Sequence, residues 1–260
     1  MVRGVQAEVV TEMSSVSSDL VRIAMWSGPR NISTAMMRAW ENRSDSTVVD
    51  EPLYAHYLSV TGKKHPMTQE VIAAGETDWE KAVEWLTVSA LDEGVGIFYQ
   101  KHMAHHLLPE MGRGWMDRLT NCLLIRDPQE MITSYIVKND IPEMEDLGIP
   151  QLVEVYDRVV ERTGAPPPII DSRDVLENPE RVLGLLCEAV GVPFTDSMLA
   201  WPVGRRDSDG VWGPHWYDRV EQSTGFHGYR PKGDRVPDQL AGLLEECQAC
   251  YDRLYSDRLV

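Results

Sequence analysis

The stretch WSGPRNISTAMMRAW, residues 26–40, carries the punctuation of a turn that joins a strand to a helix. The apolar run VRIAMW (21–26) leads into it. Beyond it Ile32, Ala35, Met36, Ala39 and Trp40 recur at the i, i+3, i+4, i+7, i+8 spacing of one buried helical face. Between the two lie Gly28, Pro29, Arg30, Asn31, Ser33 and Thr34. A helix that starts directly after a strand leaves its first amides unpaired at the positive end of its dipole, which suits an anion. Arg30 adds a permanent positive charge, and the Ser33 and Thr34 hydroxyls add donors in the first turn. Capping alone would explain the hydroxyls but leaves Arg30 unexplained.

The same alternation continues along the chain. STVVD (46–50), GIFYQK (96–101), NCLLIR (121–126) and PIIDS (168–172) are short apolar runs of the kind buried in a parallel sheet. Helical patterns separate them. Asp127 is placed to cap, Pro128 suits the first helical position and Glu130 completes a capping-box spacing. Asn178 and Pro179 open a further helix that Gly191 and Pro193 close, and a last one runs from about Asp238 with Leu240, Leu243, Leu244, Cys247, Tyr251 and Leu254 inward. The expected fold is α/β, a three-layer α/β/α arrangement with a central parallel sheet of about five strands. Ligands of such sheets sit beyond the carboxyl ends of the strands, where residues 28–34 and the start of the Asp127 helix fall.

At 260 residues the chain suits one α/β domain over 20–260, with residues 1–19, small and polar, as a flexible arm. Residues 201–233 break the pattern: Trp201, Trp212, Trp216, Tyr217, Phe226 and Tyr229 stand among glycines, the composition of an irregular aromatic loop able to act as a lid. A formal charge of −16 repels nucleic acid and anionic membranes at long range, so an anionic ligand has to be held locally. Four cysteines make no disulfide framework, and no segment reads as a signal peptide or a membrane span of ~20 apolar residues. A cytoplasmic location is the expectation. HMAHH (102–106) lacks the carboxylate of a zinc motif, so no metal is expected; Cys247 and Cys250 read as core, and Lys63-Lys64-His65 as a solvated turn. A homodimer is left open.

A nucleotide phosphate loop would read GxxxxGK[ST]; here only the hydroxyl pair is kept. Pro29-Arg30-Asn31-Ile32-Ser33-Thr34 instead resembles the first loop, PKSGTT or PRSGST, of the sulfotransferases that use 3′-phosphoadenosine 5′-phosphosulfate (PAPS), with Ile32 in the glycine position. Arg126 and Ser134 in LLIRDPQEMITSY match the arginine and the serine eight residues later that hold the 3′-phosphate in that family. SRDVLENPERVLGLLCEAVGVPF (172–194) is similar to a packing segment of the same family. The resemblance implies a PAPS-dependent sulfotransferase that moves a sulfuryl group to a hydroxyl or amine of a small molecule. Arg30 and the amides of Asn31, Ile32, Ser33 and Thr34 would hold the 5′-phosphosulfate, Arg126 and Ser134 the 3′-phosphate, and Lys232-Gly233 would echo a late basic loop.

Such transfer needs a base for the acceptor proton and cations for the charge that grows on the leaving phosphate, the second being a task for Arg30. FYQKHMAHHLLP (98–109) resembles the family's KTHLP segment and offers His102; VVDEPLYAHY (48–57) offers Glu51, and the sequence leaves the two open. An imidazole needs little tuning to act near neutrality, whereas Glu51 needs a raised pKa. Two other functions stay open. One is a phosphotransferase or NTPase of the same fold using Mg-ATP, with VVDE (48–51) supplying the magnesium acid; the other is a catalytically inactive nucleotide-binding protein.

Overall fold

Alternate residues of a strand face opposite sides of its sheet, and in β1 (Val21–Ser27) Ile23 and Met25 enter one core while Ala24 and Trp26 enter the other. Both faces are therefore covered, the arrangement that requires runs of apolar residues. The computed structural model describes residues 20–231 and 233–260; the arm proposed for 1–19 and Lys232 lie outside the described residues.

The chain continues through α1 (Ser33–Glu41), β2 (Ser46–Asp50), α2 (Tyr54–Thr61), α3 (Thr68–Ala74), α4 (Trp79–Val88) and β3 (Ile97–Met103). It then crosses to β4 (Thr120–Ile125), α5 (Pro128–Tyr135), α6 (Met144–Leu147), α7 (Ile149–Thr163) and β5 (Ile169–Asp171). The last part holds α8 (Ser172–Glu177), α9 (Pro179–Ala189), α10 (Gly213–Trp216), α11 (Asp218–Glu221) and α12 (Ala241–Ser256). The five strands form one parallel sheet in the order β2-β3-β1-β4-β5, with Trp26 beside His102 on one side and Leu123 on the other. One face is covered by α4, α5, α7 and α12, through residues such as Val83, Ile132, Val155 and Leu254; the other by α1 and α9, through Met36, Trp40, Leu183 and Leu186. This is the three-layer α/β/α fold read from the sequence.

Local signals explain most helix ends. Asp127 caps α5 by accepting from the Glu130 amide at 3.1 Å, Pro128 takes the first position, and Asn178 caps α9 from the Arg181 amide at 3.2 Å. The expected capping box is only half made, because the Glu130 side chain turns instead to Arg126 and Tyr229. The aromatic stretch 201–233 is not wholly irregular: α10 and α11 lie within it, and Tyr217 and Trp212 are buried. Among the described residues no helix is long and apolar enough to cross a membrane.

The chain runs from β1 outward to β2, back through β3, and then to β4 on the far side. The strand ends around β1 therefore form the crevice at which such sheets bind ligands.

Candidate active site

The turn after β1 is built for close approach. A Cβ on Gly28 would stand 2.6 Å from the Leu147 carbonyl oxygen, so the loop passes there only as glycine. Arg30 and Ile32 both hold left-handed backbone, φ 63° and 56°, the kind of turn in which successive N–H groups converge on one point. Such angles cost a β-branched residue dearly, and Ile32, whose side chain packs against the α1 face of the core, stands where the resembling loops carry glycine. No side chain caps α1, and the amide of Met36 is bonded to the Ile32 carbonyl at 3.1 Å, which leaves the earlier amides of the first turn for a ligand.

These amides open onto a cavity of about 990 Å³ that also receives Arg30, Ser33, Thr34, Glu51, Arg126 and Ser134. The two motifs meet directly: Arg30 Nε donates to Ser134 Oγ at 3.1 Å, and Arg126 Nη1 donates to the Arg30 carbonyl. Arg126 also pairs with Glu130 at 2.9 Å, and the other oxygen of that carboxylate accepts from the Tyr229 hydroxyl. Arg30 forms no ion pair among the described residues, and burial together with the charges of Arg219 and Arg126 lowers its pKa. Arg30 and Arg219, which have no ion pair among the described residues, favour an anion beside them. The residues present thus fit a phosphorylated, multiply charged ligand.

On the other side of the cavity β2 and β3 deliver a buried charge network. Lys101 Nζ lies 2.7 Å from Asp50, 2.5 Å from Glu51 and 3.0 Å from the Tyr217 hydroxyl. That hydroxyl donates to Asp50 at 2.7 Å and accepts from Trp212 Nε1 at 3.0 Å, while the Gly210 amide reaches the same carboxylate at 3.1 Å. Burial opposes the Lys101 ammonium, but Asp50 and Glu51 outweigh it and hold its pKa well above the ordinary lysine value. Burial raises the Glu51 carboxyl, against the pull of Lys101 and with help from Asp50. Glu51 itself sits at φ 44°, a strained setting of the kind retained where a side chain must be aimed.

The structure separates the two candidate bases. His102 is 1% exposed, stacked on Trp26 with ring centroids 4.3 Å apart, and its Nε2 lies 3.2 Å from Gln100 Oε1. It does not line the cavity, and burial with the nearby Lys101 charge pulls its pKa down to about 3. Of the two candidates left open by the sequence, His102 is thus turned away from the cavity and Glu51 toward it, since strand parity sends Lys101 and His102 to opposite faces of β3. Gly233 is exposed and outside the cavity lining, so the expected basic loop is not brought to the site by that residue. Asp50, the acid a magnesium reading would use, is instead saturated by Lys101, Tyr217 and the Gly210 amide.

Several cavity residues were not singled out from the sequence as site residues: Lys101, Tyr54, Trp212 and Arg219. Lys101 follows from parity once His102 is seen to face the core; the others come from segments without a periodic pattern. His65, expected in a solvated turn, lines the cavity with its Nδ1 2.8 Å from the Tyr54 hydroxyl.

Comparison with known proteins agrees with this fold. The family model described as "Sulfotransferase domain" matches residues 21–254. "Branched-chain-amino-acid aminotransferase-like protein 1" of Arabidopsis thaliana is 35% identical over 234 residues, 90% of this chain and 41% of that protein; its companion protein 2 is 33% identical over 232 residues, 89% and 41%. The chain thus spans about two fifths of the length of the curated relatives it matches. Among solved structures, a sulfotransferase from Alicyclobacillus acidocaldarius superposes with a TM-score of 0.50 at 10% identity, covering 92% of this chain and 97% of that one, a likeness of fold. With the turn after β1, the strand-end arginine and a match over nearly its whole described length, the chain belongs to the sulfotransferase domain family.

Proposed function

We propose that the protein transfers a sulfuryl group from PAPS to a hydroxyl, or less readily an amine, of a small molecule. The observation that carries this reading is that Arg30, Arg126 and the uncapped start of α1 share one cavity with a half-buried carboxylate, Glu51. PAPS supplies the activated sulfuryl group. The amides of Asn31 to Thr34 and Arg30 hold its phosphosulfate end, and Arg126 with Ser134 holds its 3′-phosphate. Glu51, with its raised proton affinity, takes the acceptor's proton as the acceptor oxygen bonds to sulfur and the old sulfur–oxygen pair leaves with the phosphate. Lys101 keeps Glu51 in place and balances its charge. The aminotransferase-like names of the plant relatives belong to proteins more than twice the matched length and supply no step here.

The test is thermal stabilisation by 3′,5′-adenosine bisphosphate compared with Mg-ATP. A ligand selective for the native state at about 100 times its Kd stabilises by about 2.7 kcal/mol. A rise in Tm with the bisphosphate and little with Mg-ATP is expected; the reverse order would replace this reading by a nucleoside-triphosphate enzyme. Binding without transfer to any of a broad panel of alcohols and amines would leave a nucleotide-binding protein.

A further inference from the structure

The segment between Trp201 and Tyr229 is fixed to α1 and the sheet by buried contacts. Asp209 pairs with Arg38 at 2.6 Å, both side chains being at most 1% exposed, and the next residue, Gly210, donates its amide to Asp50. Seven residues on, Tyr217 is locked between Asp50, Lys101 and Trp212. These anchors decide where α11 lies. Arg219, two residues past Tyr217, lines the same cavity as the turn after β1.

Arg219 has neither an ion pair nor a hydrogen bond among the described residues, although Asp218 beside it pairs with Lys138 at 3.8 Å. Its charge is nevertheless felt by Arg30 ahead of that of Arg126. Two arginines that line one cavity, each without a carboxylate partner among the described residues, repel unless an anion joins them. The anchor also indicates which end of the donor is involved. Tyr217 belongs to the Lys101–Glu51 side of the cavity, whereas Arg126, Glu130 and Tyr229 cluster on the other.

We infer that Arg219 is a donor-binding residue that grips the phosphosulfate end of the nucleotide together with Arg30. This rests on the function proposed above. It adds a guanidinium from the late aromatic segment to the amides and Arg30 of the first turn, so that the 5′ end is held from two independently anchored elements.

Three nucleotides separate the ends: 3′,5′-adenosine bisphosphate, adenosine 5′-phosphate and adenosine 3′-phosphate, with calorimetric Kd measured for wild type, Arg219→Gln and Arg219→Lys. Arg219 is exposed and makes no contact that a glutamine would break, so the variant keeps the fold, as its Tm without ligand verifies. Arg219→Gln is expected to weaken the two nucleotides carrying a 5′-phosphate by about tenfold, the weight of one charge-assisted hydrogen bond. Adenosine 3′-phosphate should bind unchanged, and Arg219→Lys should recover much of the loss. Equal weakening of all three nucleotides, loss confined to adenosine 3′-phosphate, or no change would each overturn the assignment while leaving the proposed function standing. Wild-type protein that binds none of the three would overturn both.

Discussion

Glu51 owes its chemistry to its surroundings. A carboxyl buried beside Asp50 keeps its proton to higher pH than an exposed one, and Lys101 only partly offsets this. Its deprotonated form is needed to accept a proton, so kcat should fall as pH is lowered through its raised pKa. Glu51→Gln keeps the shape and removes the proposed base. Turnover should drop by about 10²-fold or more, while the Kd of 3′,5′-adenosine bisphosphate stays within a few-fold. A variant that retained full kcat would show that another group takes the proton. The histidines behave differently. His102 and His105 have pKa values pulled down to about 3 by burial, so in the folded state they resist protonation that the unfolded chain accepts below about 6.5. Their depressed values mean stability is fully present above the unfolded pKa and is lost as pH falls from there toward 3, by up to about 1.4 kcal/mol per pH unit for each group. Urea unfolding between pH 7 and pH 4.5 should show this fall, and His102→Asn should flatten it without shifting the acid limb of kcat.

The turn joining β1 to α1 is the element on which ligand binding depends most. Gly28→Ala would drive a methyl into the Leu147 carbonyl, a backbone atom that has nowhere to yield. Overpacking of this kind costs about 1–3 kcal/mol, and here the strain falls on the amides that receive the anion. Weaker bisphosphate binding together with a lower Tm is expected, measured by calorimetry and thermal melting. This element was legible from the sequence, because its apolar run, its glycine, its arginine and its helical rhythm are all local. The same holds for β4 and Arg126. The place of His102 was not, because the motif reading attended to residue type and ignored the period of two that turns neighbouring strand residues to opposite faces. Lys101 escaped for another reason: Asp50, Glu51 and Tyr217, which give it meaning, come together only when β2, β3 and the stretch before α11 meet in space. Arg219 lies in a stretch whose aromatic composition announces a cover but whose anchors, Asp209 and Tyr217, depend on long-range partners.

The protein as a body is an acid with a basic hollow. Its formal charge of −16 dominates the field far from the surface, while Arg30, Arg126 and Arg219 govern the cavity. A nucleotide bisphosphate must cross the first field to reach the second. Raising ionic strength from about 10 mM to about 150 mM shortens the Debye length from about 30 Å to about 8 Å and removes more of the outer repulsion than of the inner attraction. The association rate of 3′,5′-adenosine bisphosphate in stopped-flow measurements should therefore increase over this range. A steep decrease would mean that the cavity's field reaches well into solvent. The sheet also has a polarity of use: every side chain assigned to binding or transfer lies at the carboxyl ends of the strands or on the segment that faces them. The opposite rim carries the loops that enter β3 and β5, where Gly94 and Gly164 look into open space. That rim is a natural handle: a short peptide tag inserted after Gly164, or a fluorophore tethered there, should leave nucleotide affinity within twofold, offering a way to immobilise or label the protein with its mouth unobstructed.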